Sequence, residues 1–217
     1  MSPLTPGVLT PEVLADAGRA FGLWALWGLL HSLLAARRVK AAFERLLGTR
    51  YVFYPLGYSV FSLGTFLVVF ALEPDLPQLL WAVEGPAALG LYALQLAGLA
   101  LLAWAGMSMH GLKMLGVTQL VSLLRRRAPD AADLRRDFTS TGAYAVVRHP
   151  MHAGGMLFLA CQPRLSLGGA VFALFGCLYM LLGTVLEERR LARELGPVWA
   201  DYARRVPMLV PRLRPRS

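Results

Sequence analysis

Residues 51–72 read YVFYPLGYSVFSLGTFLVVFAL, twenty-two positions without one Asp, Glu, Lys or Arg. At a rise of 1.5 Å per residue a helix of this length reaches about 33 Å, enough to cross a hydrocarbon layer about 30 Å thick. So long an uncharged run is the composition of a segment solvated by lipid, and it sets the frame for the rest of the chain.

Working outward, similar runs flank it. A span is expected near residues 14–36, its firm apolar part running from Phe21 to Ala36, and another near 87–109, interrupted only by Gln95 and Ser108, whose side chains can bond within or between helices. Beyond Arg148 an apolar stretch from Met151 to Leu186 is broken at Cys161-Gln162-Pro163-Arg164-Leu165-Ser166, where Pro and Gln make a poor helix interior. This predicts a helical hairpin with arms near 148–162 and 166–187. The first arm, Met151 to Cys161, is too short to span alone and must start earlier, tilt, or shelter its turn inside the protein. The expected fold is therefore all-α: a polytopic transmembrane bundle of about five spans, one integral membrane domain over 1–217, with a short interfacial helix near the end.

Composition agrees. The 217 residues are 56% hydrophobic and 16% charged, where soluble domains carry nearer a quarter charged. The net charge of +9 would raise nucleic-acid binding in a soluble protein, but the basic residues lie in clusters between apolar runs rather than along one face, so no nucleic-acid partner is expected. Residues 37–50, 110–150 and the tail from 187 hold twenty of the 22 Lys and Arg, and the opposite side has only Arg19 and Arg164 beside the acidic 73–86 loop. Basic loops stay in the cytoplasm, which predicts an external N-terminus and a cytoplasmic C-terminus. The start, Met1-Ser-Pro-Leu-Thr-Pro, lacks the basic region of a cleavable leader, so the first span is expected to remain as an anchor. Cys161 and Cys177 sit in apolar segments away from other ligand types and read as packing residues. The expected partner is the bilayer, with no obligate protein partner and no metal assigned.

Two constellations could carry chemistry. The first is Thr141-Gly-Ala-Tyr144-Ala-Val-Val-Arg148-His149-Pro150-Met-His152-Ala-Gly154, a helix start at the cytoplasmic mouth of the hairpin. Pro150 suits the first helical position and His149, biased away from helical dihedrals by the proline, suits the N-cap. Uncapped N–H groups beside Arg148 make an anion site. Gly154 admits a ligand or a helix at close range, and His152 shares a face with His149 and Arg148. A bland alternative makes Arg148 and His149 headgroup anchors. The second constellation is Glu187-Glu188-Arg189-Arg190-Leu191 followed by Gly196-Pro197-Val-Trp199-Ala-Asp-Tyr202, where Gly196 ends one helix and Pro197 starts another. Val198, Trp199, Tyr202 and Val206 are expected on one apolar face of that last helix. The paired carboxylates suit an amine, ribose hydroxyls or a sulfonium, although a solvated helix end is the plain reading.

Together, G-x-Y-x-x-x-R-H-P-x-H-x-G, a hairpin, and E-E-x-x-L-x-x-x-x-G-x-x-x-x-x-Y resemble the isoprenylcysteine carboxyl methyltransferase and NnrU-like membrane families. Within that group residues 109–119, MHGLKMLGVTQ, and 206–211, VPMLVP, look like the bacterial methanethiol S-methyltransferases. The likeness covers roughly 20–211 and is most specific over 110–211. It implies S-adenosylmethionine bound on the cytoplasmic side of a bacterial inner membrane, with Gln119, Tyr144, Arg148, His149, Pro150, His152, Gly154, Glu187, Glu188 and Tyr202 as cofactor-binding residues. Arg148 and the helix start would hold the cofactor carboxylate, and Glu187 or Glu188 its amine or ribose. His149, Arg148 and His31 are the catalytic candidates, for a small or lipophilic thiol acceptor. Many relatives have tyrosine where this chain has His152, which departs from the pattern. Two rival activities accompany the likeness: a haem-binding isomerase drawing axial ligands from His31, His110, His149 and His152, and carboxyl or amine methylation of a prenylcysteine or phospholipid.

Overall fold

The computed structural model describes residues 9–109, 111–127 and 138–212. Nine helices and two short strands occupy them: α1 (Pro11–Ala35), α2 (Arg37–Leu47), α3 (Tyr54–Leu72), β1 (Leu79–Ala82), α4 (Pro86–Ser108), α5 (Gly111–Met114), α6 (Val117–Leu124), α7 (Pro150–Ala160), β2 (Arg164–Ser166), α8 (Leu167–Leu195) and α9 (Pro197–Arg205). Single 3-10 segments cover Gly48–Phe53 and Gly142–Ala145. The fold is all-α, and four helical stretches are long and apolar enough to cross a membrane: Pro11–Ala35, Arg37–Leu72, Pro86–Ser108 and Leu167–Leu195. Their outward faces carry Leu, Phe and Val that stay exposed within the chain, as lipid-facing surfaces do.

The chain divides into two compact units, with the boundary in α1 between Phe21 and Gly22. The first unit comprises 1–21, 74–108 and 139–217. Here α1 starts on Thr10, whose hydroxyl accepts the Val13 N–H at 3.3 Å ahead of Pro11 at the first helical position. Helices α4 and α7 meet at Gly98 and Gly154, where the lack of side chains lets the backbones touch, and Gln95 donates across to the Phe158 carbonyl at 3.2 Å.

Helix α7 has 11 residues and covers about 16 Å, so the fourth expected segment is shorter than a span. Its turn is sheltered rather than extended. Residues 79–82 and 164–166 pair as an antiparallel ladder, Trp81 donates to the Gln162 carbonyl at 2.9 Å, and the Leu167 and Gly168 N–H groups reach the Gln78 and Leu76 carbonyls. These bonds satisfy the non-helical backbone that lipid would not. The next helix, α8, starts on Ser166, which accepts from the Gly169 N–H at 3.1 Å, and continues past Glu187 and Glu188 to Leu195. The paired carboxylates thus sit within a continuous helix. It stops at Gly196, whose φ of 51° lies in the left-handed region that glycine tolerates. On α9, Trp199, Tyr202 and Val206 form a buried cluster with Leu191 and Leu195; Val198, expected beside them, is exposed instead.

The second unit comprises 22–73 and 109–138. Trp24, fully buried, donates to Glu73 at 2.8 Å, and Tyr54 donates to the Leu34 carbonyl at 2.7 Å, which joins α1 to both ends of α3. Gly116, with φ of 81°, opens α6 against the backbone of Leu56 at a distance no side chain would fit.

Candidate functional site

The motif around Pro150 folds as its residues dictate. Pro150 is at the first turn of α7 and His149 is the N-cap, with φ −125° and ψ 63° and no side-chain cap. The N–H groups of the two residues before the proline pair with the tail: Arg148 to the Pro207 carbonyl at 2.8 Å and His149 to the Met208 carbonyl at 3.1 Å. The VPMLVP stretch therefore backs the start of α7.

Arg148 is the brace of this arrangement. Its Nε and one terminal nitrogen form a bidentate pair with Glu188, at 2.8 and 2.9 Å, and the other terminal nitrogen donates to the Ala203 and Val206 carbonyls at 3.0 and 2.6 Å. The guanidinium carbon lies 5.8 Å from the Trp199 ring centre. These contacts use four of the five N–H groups of an arginine, so the carboxylate it grips is Glu188's own, and the planar fork joins α8 to the end of α9.

Glu188 also takes His149. The imidazole Nε2 is 2.7 Å from Glu188 Oε1, and Nδ1 is 3.4 Å from Glu187 Oε2. Glu187 Oε1 accepts from Arg190 at 2.8 Å. One turn along α7, His152 Nδ1 meets Thr184 Oγ1 at 2.8 Å, and the two imidazole rings lie nearly parallel with centres 5.9 Å apart. One ring nitrogen each from His149 and His152 and one oxygen of Glu187 lie within 4.8 Å of one another. Below them Tyr202 donates to the Tyr144 carbonyl at 2.6 Å. Burial, with Glu187 nearby, pushes the Tyr144 phenol up to about 12, and burial does the same to Tyr202, so both stay neutral donors at physiological pH.

The first unit thus brings together Tyr144, Arg148, His149, Pro150, His152, Glu187, Glu188 and Tyr202. Gly154 is there too, and its open side receives Gly98 of α4. Gln119 and His31 belong to the second unit. Gln119 is fully buried; its Oε1 accepts from Thr118 at 2.9 Å, while its Nε2 has no hydrogen-bond partner among the described residues. His31 lies between Ser62 Oγ, 3.0 Å from Nδ1, and Tyr58 Oη, 2.7 Å from Nε2, and stacks on Trp27. With both ring nitrogens engaged, it is not presented as an axial haem ligand. His110 lies outside the described residues. Sequence reasoning passed over Thr184, fully buried and the partner of His152, although a hydroxyl one turn before Glu187 and Glu188 was a readable signal.

Against known proteins, the chain is 30% identical over 212 residues to a methanethiol S-methyltransferase of Pseudomonas sp. (strain GM41(2012)), covering 95% of this chain and 76% of that one. It is 32% identical over 197 residues to methanethiol S-methyltransferase 2 of Bradyrhizobium diazoefficiens, covering 88% and 71%, and 26% identical to the enzyme of the same name from Mycobacterium tuberculosis, covering 96% and 85%. No family model and no solved structure gives a significant match. Identity at this level, sustained over more than two thirds of proteins that share one name, places the chain in the methanethiol S-methyltransferase family.

Proposed function

We propose that the chain is a membrane-embedded enzyme that transfers the methyl group of S-adenosylmethionine to a small or lipophilic thiol such as methanethiol, in a bacterial inner membrane. The observation that carries the reading is the likeness to methanethiol S-methyltransferases over 95% and 88% of this chain; of the motifs that resemble the family, those around Arg148 and Glu187 meet in the first unit at the His149, His152 and Glu187 cluster, while Gln119 lies in the second.

Whether the residues suit such a cofactor can be tested on Gln119. A buried amide N–H without an acceptor costs roughly 1–3 kcal/mol, and S-adenosylmethionine carries many acceptors in its carboxylate, ribose and adenine. The Nε2 of Gln119, buried within the second unit, is one donor of the kind such acceptors take. When bound, the cofactor supplies an electrophilic methyl on a sulfonium, and the reaction is an in-line displacement in which that charge disappears. The protein's share is alignment, exclusion of water and stabilisation of the acceptor thiolate. In this reading Arg148 and Glu188 are positioning residues that hold His149 and the tail in place. Tyr144, Pro150, His152 and Tyr202 frame the cofactor side, with Glu187 as the carboxylate not spent on Arg148, while Gly154 serves the packing of α7 on α4. The bilayer serves as the route by which an apolar thiol arrives.

The experiment is transfer of labelled methyl from S-adenosylmethionine in detergent or liposomes, comparing methanethiol, longer alkyl thiols, a prenylcysteine and phosphatidylethanolamine. Methylated thiol is the expected product. Label appearing only on the carboxylate or the lipid amine would move the acceptor, and no transfer to any of them would remove the methyltransferase reading. A Soret band in the purified protein would favour the haem-binding isomerase instead.

A further inference from the structure

We propose that His149, His152 and Glu187 hold a divalent zinc-class ion whose fourth position takes the acceptor thiolate. The inference rests on the thiol-methylating reading of the same site, and it assigns His152 and Glu187 to the acceptor rather than to the methyl donor.

Three features of the geometry support an ion. The donor set is two imidazole nitrogens and one carboxylate oxygen within 4.8 Å of one another, drawn from two adjacent helices, and it leaves one position open, as catalytic zinc sites do. The His149 Nδ1 to Glu187 Oε2 distance is 3.4 Å, close to the edge of about 3.3 Å that a tetrahedron with bonds near 2.0 Å requires. His152 lies within the 4.8 Å that bounds all three ligand atoms, so bringing it to the same spacing takes an adjustment of up to about 1.5 Å.

The second feature is that a separate partner fixes each of the three candidate ligands. Glu188 holds His149 through Nε2 at 2.7 Å, Thr184 holds His152 at 2.8 Å, and Arg190 holds the other oxygen of Glu187 at 2.8 Å. Outer partners of this kind set tautomer and ring plane in metal sites. Arg148 in turn anchors Glu188.

The third feature is a mismatch that an ion resolves. If the neutral His149 ring donates from Nε2 to Glu188, then Nδ1 presents a lone pair toward the Glu187 carboxylate. Two acceptors facing each other at 3.4 Å repel, and a cation shared with His152 removes the repulsion. The alternative, an imidazolium bridging both carboxylates, is separated by the test.

The chemistry balances without an external oxidant. The thiol S–H bond breaks heterolytically, the proton passes to water, and the sulfur binds the ion as thiolate. That sulfur then attacks the methyl carbon, its new S–C bond forming as the carbon–sulfonium bond breaks, to give a thioether and neutral S-adenosylhomocysteine. A thioether is a poorer ligand than a thiolate and leaves. The ion keeps its oxidation state and serves to keep the thiol ionised at neutral pH.

The test uses the full chain in detergent, with Cys161→Ala and Cys177→Ala introduced to remove stray thiols. After chelator treatment, zinc alone is titrated and the bound metal is counted by mass spectrometry. About one zinc per chain is expected, with affinity reduced at least about tenfold in Glu187→Gln and in His152→Ala. Cobalt in place of zinc should develop a thiolate-to-metal absorption when ethanethiol is added, a readout independent of turnover and of variant folding. Zinc binding no greater in the parent than in Glu187→Gln overturns the site and leaves the imidazolium bridge. Full methyl transfer by metal-free protein overturns the ion's role while the methyltransferase reading stands. Stoichiometric zinc with a cobalt–thiolate band, in a protein that methylates nothing, supports the site and sinks the methyltransferase reading.

Discussion

Gly98 of α4 and Gly154 of α7 touch backbone to backbone: a Cβ on Gly98 would stand 2.6 Å from the Gly154 carbonyl oxygen, and one on Gly154 would stand 2.5 Å from that of Gly98. Reciprocal closeness of this kind lets a helix of 11 residues pack firmly against a full span, because small residues are what bring helices together where lipid competes equally for apolar side chains. Gly98→Ala or Gly154→Ala should each lower stability by about 1–3 kcal/mol through overpacking. Gly106→Ala on the same α4, with nothing near its added methyl, should not. Thermal unfolding of the three variants in one detergent checks this, and equal midpoints would refute the contact.

Arg148 joins Glu188 to two carbonyls at the end of α9. Lysine cannot reproduce the bidentate fork. Arg148→Lys and Arg148→Ala are both expected to cost about 2–3 kcal/mol and to free the segment after Val206 for limited proteolysis. Cleavage there at the parent's rate in both variants would mean that the brace does not hold the tail.

The Tyr202 phenol is pushed up to about 12 by burial and donates to the Tyr144 carbonyl. An acid raised above its unfolded value near 10 contributes stability that is fully present below pH 10 and is lost as pH climbs toward 12. Tyr202→Phe should therefore lower stability by about 1 kcal/mol at pH 8 and show a shallower decline between pH 10 and 12 than the parent. Tyr144, also raised to about 12, keeps some decline in the variant. Parallel melting curves across that interval would contradict the assignment.

Gln119 keeps a buried Nε2 without an acceptor, so Gln119→Met should leave the free protein as stable as before or slightly more so. S-adenosylhomocysteine affinity should fall about tenfold, the equivalent of one ordinary hydrogen bond of about 1.4 kcal/mol. Calorimetric titration reads both arms, and unchanged affinity in a folded variant would remove Gln119 from the cofactor site.

Topology is checked by single cysteines in a background lacking Cys161 and Cys177. Position 78 should label from outside, and positions 45 and 210 only after the membrane is opened. The reverse pattern would invert the chain and put the His149 cluster on the external face.

The sequence by itself determined the elements and a composition that suits lipid. An uncharged run such as 51–72 is long and apolar enough to cross a membrane, and in lipid only a helix satisfies such a backbone internally. Pro150, Gly196 and Pro197 set helix ends through local dihedrals, and for that reason the start of α7 and the break between α8 and α9 were legible, whereas Ser166, the cap of α8, was read only as part of the turn. The family motifs also named most of the residues that gather around His149. Only the tertiary structure decided how those residues divide their bonds. Nothing local says that Arg148 spends its fork on Glu188, 40 positions away, that the turn after α7 is closed by residues 79–82, or that Gly154 meets a helix. Such pairings depend on which helix faces lie opposite, and spacing along one helix fixes its own face but not its neighbour.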